Sequence, residues 1–124
     1  MIKKNCELKT ETIQKLKGGD GEVRMTHLLT LDELSRVGRQ FAVTVVPPKC
    51  SIGRHRHEGD FETYYILKGT AQVEDGGKIY DVRSGDVTIC KDGACHSIKN
   101  VGDEDLEYIA LILYSATNRP NDNT

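Results

Sequence analysis

The chain lacks any long hydrophobic run. Its longest, from Tyr108 to Tyr114, is far too short to span a bilayer. It also lacks an excess of charge of either sign: 17 Lys and Arg stand against 19 Asp and Glu, a net charge of −2, so there is no basic footprint for nucleic acid or an anionic membrane surface. There is no apolar stretch near the amino terminus, where charges continue through Lys17, so nothing reads as a secretory leader and the expected compartment is the cytoplasm. The four cysteines, Cys6, Cys50, Cys90 and Cys95, lack CxxC spacing and are read as reduced thiols.

Helix-forming pattern is scarce as well. Residues 7–17 hold good helix formers before Gly18-Gly19, but Leu8, Ile13 and Leu16 make a poor helical stripe, so an extended arm is an equal expectation. No second domain of ordinary size fits in 124 residues. Composition, with 37% hydrophobic and 29% charged residues, is that of a folded globular chain.

What is present is dense turn punctuation between short runs rich in Val, Ile, Thr and Tyr, the pattern of an all-β chain. Strands are expected from Glu22, with Val23, Met25, His27 and Leu29 on one face, then at 39–46, 50–57, 61–68, 70–74, 78–82, 87–90, 96–100 and 106–114. Pro47-Pro48 stops the second of these. So many strands at this spacing predict a sandwich or barrel. The chain divides into an amino-terminal arm (1–21), one β domain (22–114) and a polar tail expected to fray (115–124).

Three of the four histidines, His55, His57 and His96, fall in or beside these strands. On a strand, positions two apart share a face, so His55 and His57 converge. Glu62 follows across the loop Glu58-Gly59-Asp60, which lets the next strand return beside the first and bring a carboxylate to the imidazoles. His96 completes a three-nitrogen, one-oxygen set if its strand lies next to them. Such donors suit a divalent first-row transition metal (Mn, Fe, Ni, Co or Zn) with positions left open to water or substrate.

By the same parity, Tyr64 shares the face of Glu62 and is a candidate phenol for a bound substrate or a barrel-filling side chain. Cys95, beside His96, should point away from the set. Arg56 faces away from both neighbouring histidines by alternation, which makes surface charge its default, and His27 reads as a core or interface residue.

The stretch from His55 to Gly69 resembles the first cupin motif: HxH, four residues, Glu, six residues, Gly. The stretch from Gly85 to Asn100 is similar to the second: Gly, five residues, PxG, two residues, His, three residues, Asn. Two departures stand out. Lys49 replaces the glycine usually found six residues before the first histidine, and Lys91 replaces the proline of the second motif. The resemblance implies a double-stranded β-helix, a small jelly-roll barrel with the metal inside one end. It also implies His55, His57, Glu62 and His96 as metal ligands, and a homodimer. Apolar residues on both faces of the strands at 39–46 and 106–114 agree with a covered outer face.

Cupins include dioxygenases, decarboxylases, sugar isomerases, lyases and binding proteins, so fold and ligands leave the reaction open. The leading expectation is a small metal-dependent enzyme, decarboxylase- or dioxygenase-like, acting on a small organic acid or sugar. Its rival is a metal-bearing binding or sensing protein without turnover.

Overall fold

The structure, a computed structural model, describes residues 1–116, so most of the 115–124 tail lies outside the described residues. Ten strands follow in chain order: β1 (Lys9–Gln14), β2 (Glu22–His27), β3 (Gly38–Val46), β4 (Ser51–Arg56), β5 (Asp60–Lys68), β6 (Thr70–Asp75), β7 (Lys78–Arg83), β8 (Val87–Cys90), β9 (Cys95–Asn100) and β10 (Leu106–Tyr114). All pairings are antiparallel. A six-stranded sheet runs β1-β2-β3-β10-β5-β8 and a four-stranded sheet runs β4-β9-β6-β7. The two sheets pack face to face as a jelly roll, the fold expected from the alternating pattern.

Alternation decides what lies between the sheets. Ala42, Thr44 and Val46 of β3, Leu106, Tyr108 and Ala110 of β10, and Tyr64 and Ile66 of β5 point inward and are buried. Ile52, Ala71, Val73 and Ile98 meet them from the smaller sheet. Burying an Ile or Val side chain of this kind contributes roughly 1.5–3 kcal/mol. At the apolar end, Asn100 donates from Nδ2 to Val46 O at 2.7 Å and to Glu104 O at 2.8 Å. The asparagine that closes the second motif thus ties β9 to the end of β3 and serves architecture.

The amino-terminal segment is extended rather than helical. β1 pairs with β2 in register Lys9↔His27 to Gln14↔Glu22 and forms one edge of the larger sheet. The chain then makes a 3-10 turn at Leu16–Gly18 and docks on β4, with Ser51 N–H donating to Asp20 O at 2.9 Å. Contact there is close enough that a Cβ on Gly53 would collide with Lys17 O, and one on Gly19 with Ser51 O. Lys15 and Lys17 both hold left-handed backbone (φ 50° and 56°) to make this approach.

The left-handed conformation recurs at Lys49 (φ 67°), in the turn after Pro47-Pro48. Where the family pattern has glycine, this chain keeps the glycine conformation with a lysine.

Candidate metal centre

β4 and β9 are paired with His55 opposite His96, and β5 carries Glu62 on the facing sheet. The register slips between Ile52 and His55. That irregularity changes the parity of β4, so Ile52 and His55 both face the interior although they stand three positions apart. His57 lies just past the strand, and its N–H is anchored on Ala94 O at 3.0 Å.

One donor atom each from His55, His57, Glu62 and His96 lies within 4.8 Å of the others. Glu62 Oε1 stands 3.0 Å from His96 Nε2, 3.1 Å from His57 Nε2 and 3.8 Å from His55 Nε2. His96 Nε2 is 3.0 Å from His55 Nε2 and 3.2 Å from His57 Nε2. His57, Glu62 and His96 are buried and His55 nearly so.

Neighbouring groups fix which ring nitrogens are bare. Gly53 O can only accept, so His55 Nδ1, 2.8 Å away, carries that ring's proton. Asp60 Oδ1 accepts from His57 Nδ1 at 2.7 Å. When neutral, both rings therefore turn an unprotonated Nε2 toward the Glu62 carboxylate. Lone pairs facing a carboxylate at 3.1 and 3.8 Å repel unless protons or a cation stand between them. Bonds of about 2.1 Å to a shared ion are compatible with these separations. The donor set and its outer partners thus fit a divalent metal ion.

The outer partners continue. Asp60, buried, accepts from Arg39 Nε at 2.7 Å through its second oxygen. Gln40 Nε2 donates to Glu62 Oε2 at 3.2 Å. Burial alone would raise the Glu62 pKa, but the surrounding imidazoles of His55, His57 and His96, able to take up protons facing it, hold it well below the carboxylate range. Burial alone would lower the His57 pKa, but Glu62 and Asp60 together lift it above the ordinary imidazole value.

Tyr64 occupies the floor. It is buried, its ring stacked on His96 at 5.2 Å and packed against Tyr108 at 4.4 Å. Burial, followed by the charge of Glu62, pushes its phenol pKa far up, so Tyr64 is a neutral donor and not a base. Above the cluster is a cavity of about 200 Å³. Its polar wall includes Glu11, Lys17, Arg39, Gln40 and Arg56. Arg56 is exposed, as alternation requires, yet it also lines the cavity mouth. His27 is part-exposed rather than a core residue and pairs with Glu11 at 2.7 Å.

Sequence reasoning missed Glu11, Arg39 and Gln40, and left Asp60 without a role. Only Asp60 carried a local signal, three residues beyond His57 across a turn. All four cysteines are free, and Cys95 contributes nothing to the cluster.

An antiparallel jelly roll with three imidazoles and a carboxylate gathered in one end defines a class: small β-barrels with an interior site suited to a metal ion. The chain belongs to the cupin family, whose cupin domain model matches residues 42–112. It is 42% identical over 113 residues to a protein of Thermotoga maritima named oxalate-binding protein, covering 91% of this chain and 93% of that one. It also matches the crystal structure of a Thermotoga maritima protein described as a predicted oxalate decarboxylase, at 42% identity with a TM-score of 0.88 over 93% of this chain and all of that one. KdgF from Halomonas sp. shares the fold at 12% identity, with a TM-score of 0.70 over 91% of this chain and 94% of that one. Among the described residues no helix is long and apolar enough to cross a membrane.

Proposed function

We propose that the protein holds a divalent transition metal through His55, His57, Glu62 and His96 and binds a small organic acid of the oxalate class at the metal's open positions. The observation that carries this is the convergence of four donor atoms below a cavity large enough for such a ligand. The 42% identical relative named for oxalate binding supports the choice of ligand. The metal would act as template and Lewis acid toward the bound carboxylate. Asp60 and Gly53 O hold the His57 and His55 rings in orientation, Gln40 holds the free oxygen of Glu62, and Tyr64 offers a phenol O–H at the floor.

Turnover, by decarboxylation or oxygenation, is the second reading. Glu62 is engaged by three imidazoles, and the other carboxyl lining the cavity is Glu11, which pairs with His27.

We also assign the outer face of the six-stranded sheet to a homodimer contact in the cytoplasm. Tyr65, Leu67, Val87 and Ile89 are exposed there, beside half-buried Phe41 and Leu111.

Elemental analysis of untagged protein, followed by calorimetric titration with oxalate, tests the main reading. Near-stoichiometric metal, its loss in His96→Ala, and oxalate binding only to the loaded protein are expected. A wild-type protein that takes up no divalent metal would overturn it. Carbon dioxide release from bound oxalate decides between binding and turnover.

A further inference from the structure

A second hollow, of about 420 Å³, lies beside the metal cavity. Its apolar lining comes from Leu8, Leu29 and Leu31, and its charged lining from Lys3, Lys9, His27 and Arg39 with one carboxylate, Glu7, which accepts from the Lys4 N–H at 3.2 Å. Arg39 lines both hollows. The Glu11–His27 pair also joins them, since Glu11 stands on the wall of the first and His27 on the wall of the second. The two hollows are therefore neighbours across a partition of three side chains.

The second hollow has features that the fold does not require. Leu31 is 69% exposed at its edge. Lys9 makes no side-chain hydrogen bond or ion pair among the described residues, whereas Lys3 in the same wall is neutralised by Glu33 at 2.6 Å. Among the described residues Arg39 commits only Nε, to Asp60, which leaves its two terminal nitrogens available at the partition. Apolar surface with uncommitted cations at its edge suits an anion that carries an aliphatic body. The metal cavity falls below the roughly 300–1,000 Å³ usual for a ligand pocket, and the second hollow lies within that range.

We infer that the second hollow is a subsite of the same binding site, and that it receives the aliphatic body and distal carboxylate of a dicarboxylic acid whose near carboxylate sits at the metal. This rests on the metal-centred reading above. It extends that reading from a two-carbon acid to a longer one lying over the partition: Arg39 faces the chain there, Leu8, Leu29 and Leu31 cover the methylenes, and Lys9 meets the far charge.

The test is calorimetric titration of the full chain, loaded with divalent manganese, with oxalate and with suberate, an eight-carbon dicarboxylate. The variants are Leu29→Trp, which fills the hollow, and Lys9→Glu, a charge reversal on an exposed strand position. Each variant is expected to weaken suberate at least fivefold while leaving oxalate affinity within twofold and metal stoichiometry unchanged. Should Leu29→Trp fail to fold, Lys9→Glu decides alone. Suberate affinity that either folded variant leaves at the wild-type value, or absence of suberate binding where oxalate binds, overturns this inference and leaves the metal-centred reading intact. A manganese-loaded wild-type protein that binds neither acid overturns both.

Discussion

Asp60 grips the Nδ1 proton of His57 at 2.7 Å while Arg39 grips Asp60, also at 2.7 Å. The buried carboxylate thus fixes the ring's tautomer and turn, and the arginine offsets its charge. Removing such an outer partner typically costs 10–100-fold in metal affinity. Asp60→Ala is expected to fall in that range in a chelator-competition titration. Asp60→Asn keeps an acceptor for the ring proton and should lose less.

The same cluster sets the pH response of the metal-free protein. Glu62 has a lowered pKa in the fold, so its contribution to stability is present above the unfolded value of about 4.3 and is lost as pH falls through the folded value. His57 is shifted upward, so its contribution is present below about 6.5 and is lost as pH rises through the folded value. Melting curves in chelator should therefore peak at mildly acid pH. Bound metal needs unprotonated Nε2 atoms, so the extra stability it confers should grow as pH rises, with protons released on binding. Calorimetry in two buffers of different ionisation enthalpy measures that release.

Cys90 lies at the end of β8 with no solvent exposure, and burial first, then the charge of Asp75 and Glu62, pushes its thiol pKa up to about 12. Cys6 is exposed. With a thiol-specific chromogenic disulfide at pH 8, Cys6 is expected to react quickly and Cys90 only after denaturation. A Cys90 that reacts in the native protein would mean that the barrel opens there.

Lys49 sits at φ 67°, a conformation costing a non-glycine residue about 1–2 kcal/mol. Glycine removes that strain but adds freedom to the unfolded chain, offsetting about 0.4–1 kcal/mol. Lys49→Gly should therefore stabilise by about 0.5–1 kcal/mol, seen as a rise in Tm of roughly 2–4 °C.

Ile89 is 52% exposed on the outer face of the larger sheet. If that face joins two copies, Ile89→Glu buries an unpaired carboxylate in the contact and should shift sedimentation from dimer to monomer without lowering metal content. A wild-type monomer would refute the assignment.

The resemblance to cupins pointed to the four residues that converge because both motifs keep their internal spacing, and period-two alternation put nearly every barrel strand within a residue or two of its place. Other features depend on distant pairing. Residues 7–17 read equally as helix or arm because a strand such as β1, exposed nearly throughout, has no buried alternation to announce it; its state is settled by β2. Strict alternation also missed the slip that turns Ile52 and His55 to the same side, and gave Arg56 no place at the cavity mouth. Glu11 lies 44 residues before His55, so only the closed barrel reveals that it borders the cavity.

The close docking of the Leu16–Gly18 turn on Gly53 separates two tasks along the chain. The four converging donors come from β4, β5, β9 and the loop after β4, inside the barrel. Glu11, Ile13, Leu16 and Lys17, which border the opening, come from the first strand and its turn. One wall of the cavity and the four donors thus come from different parts of the sequence, with Arg39, Gln40 and Arg56 completing the wall from the barrel itself. Exchanging the first twenty residues between relatives would therefore re-cut one side of the cavity while leaving the histidines and the glutamate behind it in place, so the shape of the hollow can drift without rebuilding the barrel's centre.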